Sequence, residues 1–391
     1  MTEDPAVQTL KLEPLEARDL PAAVSSLVTG AAAVKLMAAR GMAPLRPAEL
    51  TIAVYQLSFD SDAAVKGAAE AAPASLPDRI VLGPLGEPLP APVLHFFAEH
   101  LPSTRRQAIE RILDNHNTSD ETFVHLARRL DDSGLEIIFQ NEVRLLRCPA
   151  LVEALYFNKR ARMSMVSRAL ELCARNGVRL EGIPGFDELA TALLADPNLV
   201  APSAADEVFA AALSPNDEAA AGVLGALSED PGEDALDEDA GGKEERGKKG
   251  KGGSTFIKFE ELKIFEKIRL ASVGNAFCRK VLIRDTNKVI AMAVVRSPSI
   301  TDGEIVAAAS NRAVCDDVIR YIANSRVHIK DHAVKLALVN NPKCPLGTSL
   351  RLLAFLRADD LKAIARSKNI PGALATAAKK LGQTRERSGG S

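Results

Sequence analysis

Residues 285–304, DTNKVIAMAVVRSPSITDGE, carry one helix together with the signals that bound it on either side. Asp285, Thr286 and Asn287 form a short polar turn, after which Val289 and Ala293 open an apolar face. The run Val289 to Val295 is β-branched enough for a strand. Its repeat partner, Val334 to Val339, contains Lys335, Leu336 and Ala337, which are better helix formers, so both read as buried helices. Ser297-Pro298 stops the first of these, because proline cannot continue a helix. Thr301-Asp302-Gly303-Glu304 then starts another as a capping box, in which the Thr hydroxyl and the Glu carboxylate satisfy free backbone N–H groups reciprocally.

The same signals recur along the chain. Asp60-Ser61-Asp62-Ala63-Ala64-Val65 stands 225 positions before Asp285-Thr286-Asn287-Lys288-Val289-Ile290, and this turn resembles the inter-helix turn of HEAT-type repeats. Thr118-Ser119-Asp120-Glu121 reads as a second capping box behind the stop Asp114-Asn115, and Asn340-Asn341-Pro342 is a further stop. Turns containing Asn141, Asn158, Asn311, Asn324 and Asn369 are each followed by an apolar helix. Leu135 and Ile138 match Leu361 and Ile364 at an offset of 226, while Ile305, Val314 and Val318 match Leu361, Ile370 and Leu374 at 56. Helices of roughly ten residues, joined by short polar turns and repeated, are what an α-solenoid requires. The expected fold is therefore all-α, a HEAT-like α-solenoid in two helical-repeat blocks.

Charge divides the 391-residue chain at the same places. Residues 255–391 hold 24 basic and 12 acidic residues, a net of +12, whereas residues 1–242 hold 20 and 37, a net of −17. Glu229 to Asp239 has seven carboxylates in eleven positions, and glycine then interleaves with Lys248, Lys249 and Lys251. Such a segment buries too little apolar surface to offset chain entropy. The expected organisation is a flexible N-terminus over 1–19, an acidic block over 20–200, a flexible linker over 201–254, a basic block over 255–381 and a disordered tail over 382–391. Ala204–Leu213 and Asp217–Leu227 read as transient helices within the linker, and Pro73, Pro77, Pro84, Pro88, Pro90 and Pro92 as a long loop inside the first block.

From Lys267 to Leu381 the runs IRLASVGN, LIRD, AVVRSP, ITDGE, ALVNNP, LLAFLR and ARSKNIP resemble an uncharacterised bacterial family of HEAT-like helical-repeat proteins. The first half resembles a more divergent relative. That resemblance implies a fold and no chemistry, so it transfers no catalytic residue.

Composition narrows the function classes. Aromatics are 4% and Trp is absent, which leaves little material for base-stacking platforms or the pocket of a base-flipping glycosylase. The acidic start, Met1-Thr2-Glu3-Asp4, lacks the basic region of a secretory signal, and Ala22 to Ala39 is broken by Ser25, Ser26, Thr29, Gly30 and Lys35, so a cytoplasmic protein without a membrane span is expected. Five scattered cysteines imply neither a disulfide framework nor a zinc knuckle. The chain contains no GxxxxGK[ST] and no GxSxG motif. His328 and His332 are spaced to share a helix face, the spacing of helical zinc sites, with solvated or packing roles as the alternative. Lys343 beside Cys344 is placed to lower a thiol pKa, with a structural turn as the alternative. Asp131-Asp132, Asp316-Asp317 and Asp359-Asp360 suit helix starts, where the dipole favours carboxylates.

Positive charge stands out more clearly. Arg296, Arg312, Arg326, Lys343, Arg366 and Lys368 all fall within two residues of an inter-helix turn. If successive turns stack along one edge, these six form a basic stripe; helix-dipole stabilisation alone also accounts for them. The expected function is a non-enzymatic scaffold or adaptor for protein partners, without metal or cofactor. The alternative is nucleic-acid or other polyanion binding by the basic block. The opposite charges also predict contact between the acidic and basic halves.

Overall fold

A computed structural model describes residues 12–195, 262–367 and 370–388, together with Asp206 and Phe209. Among these residues every regular element is a helix. The chain forms two compact units divided between Ala201 and Pro202.

The first unit contains α1 (Ala22–Val28), α2 (Ala32–Ala39), α3 (Pro47–Leu57), α4 (Ala63–Ser75), α5 (Asp78–Leu85), α6 (Ala91–His100), α7 (Arg106–Asp114), α8 (Asp120–Arg129), α9 (Asp132–Gln140), α10 (Glu142–Arg147), α11 (Pro149–Phe157), α12 (Met163–Arg175) and α13 (Phe186–Ala195). The second contains α14 (Ile264–Val273), α15 (Ala276–Leu282), α16 (Lys288–Val295), α17 (Asp302–Ser310), α18 (Asp316–Asn324), a 3-10 turn (His328–Lys330), α19 (His332–Asn340), α20 (Leu346–Leu353), α21 (Ala358–Arg366) and α22 (Gly372–Ser388). Packing alternates along the chain. In the first unit α1 packs on α3, α2 on α4, α3 on α5, α4 on α6, α5 on α7 and α6 on α8. In the second, α14 packs on α16, α16 on α18 and α17 on α19.

The turn pair at offset 225 has one geometry in both copies. Asp62 accepts from the Ala64 N–H at 2.9 Å and Asn287 from the Val289 N–H at 2.9 Å. Asp60 and Asp285 in turn accept from the N–H of Asp62 and Asn287. Thr301–Glu304 closes as a capping box, whereas the earlier motif forms no box and caps its helix through one side chain, a residue later than expected. Ser119 caps α8, because the Thr118 hydroxyl instead donates to the Ile112 carbonyl at 2.5 Å.

A longer-range device joins one helix end to a later turn. The buried Asn115, Asn158 and Asn341 each donate from Nδ2 to two carbonyls at the end of an earlier helix: Leu85 and Glu87, Ala127 and Leu130, Ala309 and Asn311. Each also accepts on Oδ1 from the N–H two residues on, which fixes the amide. Ser297 does the same work with its hydroxyl on Ser272, and Arg129 with its guanidinium on Ala98, Glu99 and Leu101. The last carbonyls of a helix have no partner within it, so a donor from a turn later in the chain satisfies them and ties the two helices together.

Four expectations need correction. The prolines make no long loop: Pro77 and Pro90 immediately precede α5 and α6, Pro92 lies in the first turn of α6, and Pro73 and Pro84 are buried near helix ends. Proline's fixed φ suits a first helical turn, and near an end only one backbone bond is lost. The tail is not wholly disordered, since α22 runs to Ser388 and Arg385 donates to the carbonyls of Ala354 and Leu356. The flexible N-terminus is tied from Glu13, whose carbonyl accepts from the Tyr55 hydroxyl at 2.6 Å; residues 1–11 lie outside the described residues. Within the stretch 201–254, expected to be a flexible linker, only Asp206 and Phe209 are described, and both are helical. Phe209 is buried, with the fully buried Arg269 guanidinium 4.9 Å from its ring centre. An aromatic face covers a desolvated cation favourably. Residues 210–261, and with them Asp217–Leu227 and the acidic run, lie outside the described residues.

Candidate functional site

Four of the six basic residues, Arg296, Arg312, Arg326 and Lys343, do not share one edge. Arg296 follows α16 and its guanidinium lies 5.4 Å from the Tyr321 ring in the last turn of α18. The turn after α18 carries Arg326, so those two residues belong to one end of the stacked helices. Arg312 follows α17, and Lys343 follows α19 with its Nζ donating to the Val314 carbonyl at 2.7 Å. That pair belongs to the other end, about 13 Å away along a nine-residue helix. Turns alternate between ends because consecutive helices run up and down. Arg296, Arg312, Arg326 and Arg366 are exposed and make no ion pair among the described residues, whereas Lys343 is engaged in stacking and lies 3.9 Å from Asp316. Lys368 lies outside the described residues.

The remaining candidates separate too. His328 sits in the 3-10 turn and His332 opens α19, so they share no helix face. His332 Nε2 instead bonds Asp360 at 2.8 Å, and His328 is held below the ordinary histidine pKa by burial. No three His, Cys, Asp or Glu side chains converge on one point among the described residues. Cys344 is buried, and burial pushes its thiol pKa up, against the lowering expected from Lys343. Lys343 is turned toward Val314 and α18 instead. The aspartate pairs lie at the starts of α9, α18 and α21 as expected. No helix among the described residues is long and apolar enough to cross a membrane.

What the sequence reading missed is a groove of about 590 Å³ between α15 and α17. Its floor includes Ile283, Val294, Ile300 and Ala308. Lys280 and Arg284 line its rim, both exposed and without an ion pair among the described residues. One end is closed by a bidentate pair, Arg279 Nε to Glu304 Oε1 at 2.8 Å and Nη2 to Oε2 at 3.2 Å. Arg279 Nη1 also donates to the Gly274 carbonyl, capping α14. Burial works to raise the Glu304 carboxyl pKa, but bonds from Arg279 and from the Thr301 N–H and hydroxyl outweigh it and hold the group below the usual carboxylate range. The capping box was legible in sequence; the 25-residue step from Arg279 to Glu304 was not. A hydrophobic trough with a cationic rim can hold an apolar segment flanked by carboxylates. No protein-family model matches the chain, and neither does any curated protein or solved structure.

Proposed function

We propose that the chain is a non-enzymatic scaffold made of two HEAT-like α-solenoid blocks that hold protein partners on the faces of their stacked helices. The observation that carries this reading is the set of side-chain bonds from one repeat to the helix end of an earlier one, spaced 25 to 32 residues. Such bonds make each repeat a rigid platform for its neighbour, the property a presenting surface needs. Exposed Leu346, Leu350 and Phe355 on and just after α20 add apolar surface of the kind partners cover. The test is a photo-crosslinking residue at Leu350 of the full-length chain in its native cells. Discrete protein adducts, lost on Leu346→Asp, are expected. Adducts to nucleic acid alone, or none, would overturn the reading.

A second reading, polyanion binding by the basic block, is favoured by Arg296, Arg312, Arg326 and Arg366, four exposed arginines without an ion pair among the described residues. Retention of the full-length chain on heparin should then fall steeply with salt, through counterion release. Arg296→Glu with Arg326→Glu, at one end of the stack, tests that end separately from Arg312→Glu. A salt slope unchanged by both would exclude it.

A further inference from the structure

We propose that the groove between α15 and α17 is the docking site of this chain's own acidic segment, Glu229 to Asp239, led by Val223, Leu224 and Leu227. The attachment points make the contact local. Phe209 is fastened on Arg269 of α14, and the buried Leu262 stands just before the same helix, so the intervening chain leaves and returns at α14. The helix α15, one wall of the groove, packs directly on α14. Neighbouring helix axes lie about 8–10 Å apart. Twenty residues separate Phe209 from Glu229, and a random coil of that length has a root-mean-square span of about 25 Å. The groove is therefore well within range, at an effective concentration on the order of millimolar.

Chemistry selects the same occupant. Ile283, Val294 and Ile300 offer an apolar floor to Val223, Leu224 and Leu227. Lys280 and Arg284 face the solvent side without carboxylate partners among the described residues, and the seven carboxylates of Glu229 to Asp239 supply them. Arg279 is already neutralised by Glu304, so the rim's attraction rests on Lys280 and Arg284 alone. This contact lies within the second unit and is independent of which outside partner the scaffold carries.

The test uses the full-length chain with a photo-crosslinking amino acid at Ala307 or, as a second probe, at Gly303, where an added side chain meets open space. Irradiation at low salt should give an intrachain adduct within residues 217–239, located by mass spectrometry. Its yield should fall roughly fivefold in Lys280→Glu/Arg284→Glu or at high salt, where surface charge is screened. Replacing Glu229, Asp230, Glu233 and Asp234 by Lys in that charge-reversed variant should restore it. Unchanged urea midpoints verify that the variants fold. An adduct to a second copy, an adduct elsewhere in the chain, or none from either probe would overturn the proposal.

Discussion

Asn341 shows how much one side chain decides here. It is 4% exposed, its Nδ2 donates to Ala309 and Asn311, and its Oδ1 accepts from the Lys343 N–H. Removing it leaves two carbonyls without that donor, so Asn341→Ala should cost about 1–3 kcal/mol in urea unfolding. Asn324→Ala, on an exposed last residue of α18, should stay within about 0.5 kcal/mol of the parent. Both asparagines look alike in sequence, because helix ends attract asparagine whether or not it reaches another helix. His95 gives the pH dependence its sign. Burial holds its pKa below the ordinary 6.5, against weaker upward pulls from Glu99 and Glu121, and its Nδ1 bonds the Thr122 hydroxyl at 2.8 Å. His125, its ring centre 5.7 Å away, is lowered by burial and by Arg129. A histidine with a depressed folded pKa contributes fully above its unfolded value and loses that contribution as pH falls below it. Stability of the first unit should therefore decline as pH drops below about 6.5, and His95→Gln should flatten the decline in urea titrations across that range. Glu304 acts in the same direction at lower pH, since its stabilisation is present above the ordinary 4.5 and lost as pH falls through its depressed folded value.

Individual helices are set mostly by local signals, and these transferred well from sequence to structure. The runs Val289–Val295 and Val334–Val339 are buried helical segments of α16 and α19, and the apolar residues matched at offsets 226 and 56 are all buried. Side-chain caps at Asp62 and Asn287 predict matched effects. Asp62→Ala and Asn287→Ala should each cost about 1 kcal/mol by urea unfolding, because each removes one acceptor for a free N–H in the first turn. Element ends were harder to place. Ser119 rather than Thr118 caps α8 because Ile112, on the preceding helix, takes the Thr118 hydroxyl, and that competition is not visible in a four-residue motif.

The second unit depends on a residue that composition assigns to a linker. Phe209 covers the fully buried Arg269, and that ring offsets part of the cost of desolvating the guanidinium. Phe209→Ala should therefore destabilise the second unit by about 3–5 kcal/mol, seen as an earlier unfolding transition of that unit with the first unit's transition unchanged. The same contact places Phe209, upstream of the basic block, against α14 of the second unit.

Helical class, the alternation of apolar helix and polar turn, and the charge division follow from residue pattern alone, since each depends on interactions within a few positions of the chain. Tertiary structure decided the rest. The basic residues divide between two ends of the stack because antiparallel helices alternate their turns, and His328 and His332 part company because a 3-10 turn ends between them. The groove forms between α15 and α17, which are separated in sequence by α16, and Arg279 meets Glu304 across 25 positions. Such contacts are fixed by how groups at one helix end find partners on a helix distant in sequence, a geometric match that no local window of sequence contains.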